Sequence, residues 1–340
     1  MNVAAIFGGT GFIGTYFALE LLQSKNYSKV YLFDIAPVCE KRFLPLLKPF
    51  LDNGKIIYQY CDVRKPITEQ IDNKESNLNL IANFAAIHRE PGHEPEEYYE
   101  TNLLGAENVC EWANNVSCKD IIFTSSIAPY GPSETPKTEN SIPVPISAYG
   151  GSKLAAEKIH ITWQHEDKAN KRLTIVRPGV VFGAGEGGNV SRLIKAVLGR
   201  YFFYMANKNT RKAGTYVKEL CRAMLWVHDS TEDKNNVRLF NMSMNPGPSV
   251  EEYVNTICEV AGIKRFVPSV PYALLYPASF VVDALARLLK INQPISPVRI
   301  RKLVKSNHIL PEYLEKQGYP YRYTLKSALE DWKEQMPSEW

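Results

Sequence analysis

The fold is decided by the stretch Val3-Ala4-Ala5-Ile6-Phe7-Gly8-Gly9-Thr10-Gly11-Phe12-Ile13-Gly14 near the start of the chain. A short apolar run ends at Gly8, and a helical pattern predicted over 12–24 follows. The spacing of Gly8, Gly11 and Gly14 allows a tight turn, close approach of the backbone to a pyrophosphate, and close packing of helix on strand. The N-terminus of the helix would then direct unpaired N–H groups at phosphates. This context predicts a dinucleotide site.

Strand and helix patterns alternate through the rest of the first half of the chain. Such alternation predicts an α/β fold of the Rossmann type, with a doubly wound parallel sheet and helices on both of its faces. The further apolar runs lie at 30–33, 56–60, 80–86, 120–125, 173–176 and 237–242, and the further helical patterns at 95–114, 148–170 and 249–261.

The composition of the sequence changes after Pro178, where glycine-rich and aromatic segments replace the alternating strand and helix patterns. We therefore expect a smaller, interleaved C-terminal lobe that holds the substrate. Residues 1–178, together with about 237–262, form the predicted cofactor domain. Residues 179–236 and 263–340 form the predicted substrate lobe.

Composition excludes several classes of protein. The 340 residues are 45% hydrophobic and 22% charged, which is typical of a globular protein. A net charge of +4 is too small for a dedicated nucleic-acid binder. The six cysteines form no CxxC pair, so we expect reduced thiols and no metal. The N-terminus lacks a signal-peptide pattern, which predicts a cytoplasmic location, and prolines interrupt the most apolar stretch, 267–289.

Acidic residues end the second and third predicted strands. Asp34 lies 20 residues beyond Gly14, where a carboxylate can bind the adenosine ribose and repel a 2′-phosphate. This favours NAD over NADP, although Lys41 and Arg42 nearby are able to serve a phosphate. Asp62 is placed for the adenine edge, or alternatively for a turn or helix cap.

Two stretches in the middle of the chain carry a resemblance. Thr124-Ser125-Ser126-Ile127-Ala128-Pro129-Tyr130-Gly131 and Tyr149-Gly150-Gly151-Ser152-Lys153 resemble the catalytic elements of extended short-chain dehydrogenases/reductases of the NAD-dependent epimerase/dehydratase type. The resemblance covers nearly the whole chain. It implies Tyr149 as general acid/base, Lys153 as its electrostatic partner, and Ser126 as a hydrogen-bonding group for the reacting hydroxyl.

The residue types suit this chemistry. A tyrosine with an ordinary pKa near 10 is a weak base at neutral pH. Lys153, one helical turn from Tyr149 on the same face, can stabilise the phenolate, as can a positively charged nicotinamide. The glycine turn and the resemblance together imply cofactor contacts from Gly8, Thr10, Gly11, Phe12, Ile13, Gly14, Asp34, Asp62, Val63, Ala85, Ala86, Asn102, Tyr149, Lys153 and Pro178.

The residue at position 128 limits the types of reaction that the site can catalyse. Sugar dehydratases of this family resemble one another in having Glu two residues beyond the aligned Ser or Thr, and some 3,5-epimerases have Cys there. Alanine can neither donate nor accept a proton, so elimination and carbanion epimerisation lack their acid/base group. Oxidation and reduction at one carbinol remain, which means a C4 epimerase or a simple dehydrogenase.

The second half offers cations for a diphosphate. Arg211 and Lys212 align with the phosphate-binding arginine region of nucleotide-sugar epimerases, and arginine can bind phosphate in a bidentate manner. His88 follows the fourth strand, at the sheet edge where ligands bind. We expect it, Ser126 and Asn189 to contact substrate, although a histidine packed against the cofactor is an equal alternative for His88.

A narrower resemblance concerns Ala86-Ile87-His88-Arg89, Gly188-Asn189-Val190 and the PISPVRIRK segment of the tail. These are similar to undecaprenyl-diphosphate-N-acetylglucosamine 4-epimerases of O-antigen assembly, which implies a polyprenyl-linked sugar and surface polysaccharide biosynthesis. The apolar and basic tail suits an anionic membrane surface or, alternatively, a core helix with a solvated face.

Three hypotheses follow from the sequence. The first is an NAD-dependent C4 epimerase of a diphosphate-linked hexose or N-acetylhexosamine. The second is an NAD-dependent 3β-hydroxysteroid-type dehydrogenase. The third is a non-catalytic redox sensor, against which the intact Ser126, Tyr149 and Lys153 argue. Whether the chain forms a homodimer, and whether the sugar is carried by UDP or by a polyprenol, the sequence leaves open.

Overall fold

The computed structural model describes residues 2–71, 78–90, 92–205, 207–230, 236–288 and 307–340. The strands are β1 (Asn2–Phe7), β2 (Tyr27–Asp34), β3 (Ile56–Tyr60), β4 (Leu80–Asn83), β5 (Asp120–Thr124), β6 (Ser133–Lys137), β7 (Arg172–Pro178), β8 (Val180–Phe182), β9 (Tyr204–Met205), β10 (Gly214–Tyr216), β11 (Val237–Met242), β12 (Ser269–Val270) and β13 (Asn307–Ile309). The helices are α1 (Phe12–Gln23), α2 (Leu44–Asp52), α3 (Pro95–Asn115), α4 (Ala148–His165), α5 (Asn189–Leu198), α6 (Val217–Asp229), α7 (Val250–Ala261), α8 (Tyr272–Leu288), α9 (Glu312–Lys316) and α10 (Leu325–Gln335).

A seven-stranded sheet with the order β3-β2-β1-β4-β5-β7-β11 forms the centre of the protein. Every neighbouring pair in it is parallel. The strand order reverses next to β1, so the carboxyl ends of β1 and β4 form the crevice where such sheets bind ligands. The predicted Rossmann-type α/β fold is confirmed.

Helices cover both faces of this sheet. Along β1, Ala4 and Ile6 belong to one buried apolar cluster, which also includes residues of α1, α6 and α7. Ala5 and Phe7 belong to a second cluster, shared with α3 and α4. The alternation places successive β1 side chains on opposite faces, and both faces are buried.

The chain leaves the sheet after β7 and returns at β11. β11 pairs with β7 from Val237 opposite Leu173 to Met242 opposite Pro178. Outside the central sheet, the described residues form three two-stranded pairs, β8–β10, β9–β12 and β6–β13. The division into a cofactor domain and an interleaved substrate lobe remains a prediction.

Several predicted bounds differ from the structure. β4 ends at Asn83 rather than 86, because the chain then passes over Gly8 instead of continuing the ladder. α4 ends at His165 rather than 170, where Asp167 and Asn170 form a turn. α2 is not predicted from the sequence because it contains two prolines; one lies in the first turn, where it is tolerated, and the other is Pro49 inside the helix.

The apolar and basic tail is described only in part. α8 covers 272–288, and none of the helices in the described ranges is long and apolar enough to cross a membrane. The basic residues of the tail for which a membrane contact was considered lie outside the described residues; they are Lys290, Arg299, Arg301, Lys302 and Lys305.

Candidate active site

The turn between β1 and α1 depends on two glycines. Gly8 has φ +74°, and a Cβ atom there would lie 2.7 Å from the backbone nitrogen of Ala85. A Cβ atom on Gly14 would lie 2.3 Å from the carbonyl oxygen of Gly8. α1 begins after Gly11 without any side-chain hydrogen bond at its N-cap. The backbone N–H groups of its first turn are therefore available to an anion.

Asp34 ends β2 beside this turn. Its Oδ2 accepts a hydrogen bond from the backbone nitrogen of Thr10 at 3.2 Å, and its Oδ1 accepts one from Ala36 at 3.2 Å. Each oxygen keeps a lone pair that can accept a ribose hydroxyl. Arg42 donates to the carbonyl of Gly185 at 3.2 Å, so this guanidinium already bonds to the segment after β8.

Asp62 follows β3 and is buried. The Arg64 guanidinium donates to its two oxygens, from Nε at 2.9 Å and from Nη2 at 2.7 Å, and these bonds lower the pKa of the carboxyl. The backbone nitrogen of Arg64 also donates to Oδ1 at 3.1 Å, which is the alternative turn role. The neighbouring Val63 packs against Gly105, and its carbonyl accepts from Asn108 at 2.7 Å.

A buried pair lies behind the end of β4. The Nδ1 of His160 donates to the carbonyl of Ala156 at 2.8 Å, so its Nε2 accepts from the Asn83 amide at 3.3 Å. Burial lowers the pKa of His160 to about 4. The Oδ1 of Asn83 is buried without a partner among the described residues. Asn83 therefore keeps an acceptor at the sheet edge, close to the Ala85 and Ala86 backbone.

Asn102 on α3 connects the loop after β4 to α4. Its Oδ1 accepts from the Ile87 nitrogen at 2.9 Å, and its amide nitrogen donates to the Ile87 carbonyl at 3.2 Å and to Ser152 Oγ at 2.9 Å. Ser152 in turn donates to the carbonyl of Tyr149 at 2.9 Å. The amide of Asn102, a predicted cofactor residue, thus forms its hydrogen bonds within the protein, and these bonds position the loop after β4 against α4.

Tyr149 lies in the first turn of α4, half-buried, near the end of β5. Burial raises the pKa of its hydroxyl, and a hydrogen bond with the Ser126 side chain lowers it. The charge of Glu90 and the Tyr98 hydroxyl add to the increase. Ser126 Oγ also accepts from the backbone nitrogen of Ala128 at 3.1 Å, which fixes it in the turn after β5. The predicted serine and tyrosine are therefore brought together.

Lys153 lies one turn further along α4 and is almost wholly buried. Its Nζ is 4.3 Å from the centroid of the Phe123 ring, a favourable position for a cation. Burial lowers the pKa of Lys153 to about 7, and the negative charge of Glu157 opposes that shift. A lysine poised near neutral pH can respond to the charge of a phenolate next to it.

His88 lies in the loop after β4 and is exposed to solvent. Protein atoms around the imidazole ring displace part of its water, and this loss of solvation lowers the pKa of His88. The positive charges of Arg89 and Lys153 lower it further. A hydrogen bond with the backbone of Ala86 opposes the shift.

A match to a protein-family model spans residues 4–243 and is described as the NAD-dependent epimerase/dehydratase family. The chain belongs to this family. Its members depend on NAD, and the present family member is accordingly an NAD-dependent enzyme of the epimerase/dehydratase type.

Two curated relatives align over almost the whole chain. N-acetyl-alpha-D-glucosaminyl-diphospho-ditrans,octacis-undecaprenol 4-epimerase of Escherichia coli O157:H7 is 26% identical over 334 residues, which cover 97% of this chain and 93% of the relative. The decarboxylating sterol-4-alpha-carboxylate 3-dehydrogenase of Candida albicans is 24% identical over 348 residues, with 96% of both chains covered.

A solved structure supports the fold. UDP-glucuronic acid 4-epimerase from Bacillus cereus, in complex with NAD, superposes with a TM-score of 0.73 over 99% of both chains, at 16% identity.

The residues of this epimerase/dehydratase family member fit NAD. The glycine turn leaves a space that a Cβ on Gly8 would fill, the start of α1 carries free N–H groups, and Asp34 retains acceptor capacity. These groups would hold the pyrophosphate and the adenosine ribose, with Tyr149 and Lys153 at the other end of the site. Phe12, the first residue of α1, packs on Phe43 with ring centroids 6.3 Å apart, so the start of the helix is held by a residue that precedes α2.

The predicted substrate residues of the second lobe are more scattered. Asn189 is the exposed first residue of α5, and its Oδ1 accepts from Arg192 at 2.7 Å. Arg211 donates to the Gly247 carbonyl at 2.5 Å and lies 3.7 Å from Glu252. Lys212 is half-buried, and burial lowers its pKa to about 8. No described contact joins them to Tyr149, so their part in substrate binding stays a prediction.

A buried polar network that the sequence motifs do not predict surrounds Glu157. Ser125 Oγ donates to Glu157 at 2.5 Å, and Arg177 donates to both oxygens of Glu157, at 2.8 and 2.6 Å. The Arg177 guanidinium lies 4.7 Å from the centroid of the Tyr130 ring. Glu157 lies one turn beyond Lys153 on the same helix face, and this spacing could have predicted that Glu157 also faces the site. The network joins the residue after β5 to α4 and β7, and Ser125 is the neighbour of Ser126 in the chain.

Proposed function

We propose that this enzyme is a C4 epimerase of a diphosphate-linked hexose or N-acetylhexosamine. The observation that carries the proposal is the environment of Ser126 and Tyr149: the side chain two positions beyond Ser126 is Ala128, which contributes only a backbone N–H. The site therefore supplies one proton-transfer group for one carbinol. That is what oxidation and re-reduction at a single carbon require.

Each protein group has a defined task in this proposal. Tyr149 as phenolate takes the proton from the sugar 4-hydroxyl and returns it at the end of the cycle. Lys153 stabilises the phenolate by its charge, and Ser126 orients the reacting hydroxyl. NAD, when bound, supplies the hydride acceptor that converts the carbinol to a ketone and the hydride donor that reverses this. The protein must hold the ketone long enough for the sugar to turn its other face.

The nearly full-length relative that acts on an undecaprenyl-diphosphate sugar favours a polyprenyl carrier over UDP. Arg89, in the loop after β4, and the half-buried Lys212 are the cations that we assign to the diphosphate, and the neutral imidazole of His88 beside Arg89 can add a hydrogen bond. Such a substrate belongs to surface polysaccharide biosynthesis, and its lipid would place the enzyme at the inner face of the cytoplasmic membrane. In this proposal the tail cations Arg299, Arg301, Lys302 and Lys305 meet anionic lipid, and high salt weakens that contact.

The test is a substrate panel without added reductant. N-acetylglucosamine linked to polyprenyl diphosphate and to UDP is incubated with the purified enzyme, and proton NMR follows the configuration at C4. We expect conversion to the C4 epimer without accumulation of NADH. Absence of any epimer with either carrier would overturn the proposal.

The similarity to a sterol dehydrogenase supports a second candidate function, that of an NAD-dependent hydroxysteroid-type dehydrogenase. A hydroxysteroid-type dehydrogenase must release reduced cofactor at each turnover. Stoichiometric formation of NADH with a 3β-hydroxysteroid, and none of the sugar epimer, would establish that alternative in place of the epimerase.

A further inference from the structure

The segment that precedes α4 has an unusual surface. In Ser141-Ile-Pro-Val-Pro-Ile-Ser147, the side chains of Ile142, Val144 and Ile146 are exposed to 80%, 61% and 71%. The intervening Pro143 and Pro145 are half-buried. Exposure thus alternates residue by residue, as in extended backbone with one face on the protein and the other in water. We call the three exposed side chains the apolar ridge.

The apolar ridge is fixed against the catalytic helix. The Cβ of Pro145 lies 3.2 Å from the position that a Cβ on Gly150 would take, and Ser147 caps α4 by accepting from the Gly150 nitrogen at 3.2 Å. The carbonyl oxygen of Val144 lies 2.7 Å from the position of a Cβ on Gly131, in the turn after Ser126. The ridge therefore stands between the two stretches that supply Ser126 and Tyr149.

The chemistry of the segment limits what can cover it. It contains no charged residue, so it offers nothing to a nucleotide or to a phosphate. Its two prolines lack backbone N–H groups, which weakens pairing with the strand of a partner protein. What it offers is a row of branched aliphatic side chains, for which an extended hydrocarbon is the matching ligand.

We propose that the apolar ridge binds the proximal part of the hydrocarbon chain of a polyprenyl-diphosphate sugar as that chain leaves the active site. The inference rests on the proposed function, because it presupposes a substrate whose sugar reaches Tyr149. It adds a lipid subsite at residues 142–146 that distinguishes a lipid carrier from a nucleotide carrier.

The experiment compares two substrates that differ only in the lipid: N-acetylglucosamine diphosphate carrying undecaprenol, and the same sugar diphosphate carrying a methyl group. Both are assayed in the same non-ionic detergent. The ridge variant combines Ile142→Gln, Val144→Gln and Ile146→Gln. The control variant combines Leu104→Gln, Tyr201→Gln and Phe266→Gln, three exposed apolar residues elsewhere on the surface. A third variant replaces all three ridge residues with leucine.

We expect the ridge variant to raise KM for the undecaprenyl substrate by about tenfold or more, since three apolar contacts are lost. Its KM for the methyl substrate and its bound NAD should stay within twofold of wild type. The control and leucine variants should match wild type with both substrates, because one leaves the ridge intact and the other keeps it apolar.

Three results would overturn this inference alone: an unchanged KM of the ridge variant for the lipid substrate, an equal loss with both substrates, or no preference of the wild type for the lipid. A change of molecular mass from dimer to monomer in the ridge variant would assign the ridge to a second copy of the chain instead. Loss of vesicle binding with an unchanged KM in detergent would assign it to the bilayer. Failure of the wild type to epimerise either sugar would instead overturn the proposed function.

Discussion

Both carboxylate oxygens of Glu157 accept hydrogen bonds from the Arg177 guanidinium, at 2.8 Å from Nε and 2.6 Å from Nη2. Both side chains are at most 5% exposed. Glu157 lies on α4 one turn beyond Lys153, and Arg177 lies on β7 next to Pro178, a predicted cofactor contact. The ion pair therefore joins the helix that carries the candidate catalytic tyrosine to the strand that ends at a candidate cofactor residue.

Replacing Glu157 with Gln should destabilise the protein strongly. Arg177 would keep its charge in a buried place without a counter-charge, which typically costs about 3–5 kcal/mol. The matched control is Asp52→Asn, which breaks the exposed pair with Lys48 and should cost less than about 1 kcal/mol. Urea titration measures the free energy of unfolding of both variants. Equal losses would show that the buried ion pair stabilises the protein no more than the exposed one.

Tyr149→Phe should abolish most of the turnover and leave NAD binding intact. The substitution deletes the proton-transfer group but keeps the ring, and such a group contributes roughly 10²–10⁴-fold in rate. The control is Tyr98→Phe, whose ring centroid lies 6.1 Å from that of Tyr149 and whose hydroxyl donates to the Arg89 carbonyl. Single-turnover rates and bound NAD are compared; a loss below tenfold in Tyr149→Phe would exclude Tyr149 as the acid/base.

Asp34→Ala should weaken NAD binding without weakening the binding of NADP. Asp34 supplies acceptor oxygens beside the glycine turn, and a carboxylate there repels a 2′-phosphate. Asp52→Ala, at the exposed end of α2, serves as the control. Isothermal calorimetry on enzyme stripped of cofactor measures each affinity. Wild-type affinity for NADP equal to or above that for NAD would contradict the assignment.

The sequence predicted those parts of the molecule that are encoded locally. The glycine turn, the strands that end at Asp34 and at the serines after β5, and the i,i+4 pair Tyr149 and Lys153 each depend on neighbours in the chain. The partner of Glu157 does not, because Arg177 lies on another element and only the packing of α4 on β7 brings them together.

Two further features have the same origin. The amide of Asn102 bonds to Ile87 in the loop after β4 and to Ser152 on α4, partners that the fold brings together, while its predicted contact with the cofactor stays a prediction. The apolar pattern after Asn83 continued like a strand, yet close contact with Gly8 turns the chain away from the sheet. Local sequence patterns here predict secondary structure and candidate site residues better than they predict the long-range contacts of those residues.

The stability of the protein should fall on acidification because of His228. This histidine is buried at the end of α6, with Thr174 Oγ1 at 3.5 Å from Nδ1 and Asp120 at 3.8 Å from Nε2. Burial lowers its pKa to about 4; Asp120 opposes the shift, and Arg172 and Arg238 add to it. The unfolded chain, with an ordinary pKa near 6.5, binds the proton first as the pH falls. Stability is therefore lost between about pH 6.5 and 4, with about 2 kcal/mol gone at pH 5.

His228→Gln should remove this contribution to the pH dependence, whatever its effect at neutral pH. The free energy of unfolding is measured by urea titration from pH 7.5 to 5 for the wild type, His228→Gln and the control His165→Gln, which alters an exposed histidine at the end of α4. The slope against pH should become shallower in His228→Gln only. Because buried His160 titrates in the same range, part of the slope remains in that variant. An unchanged slope in His228→Gln would mean that His228 gains its proton in the folded protein as readily as in the unfolded chain.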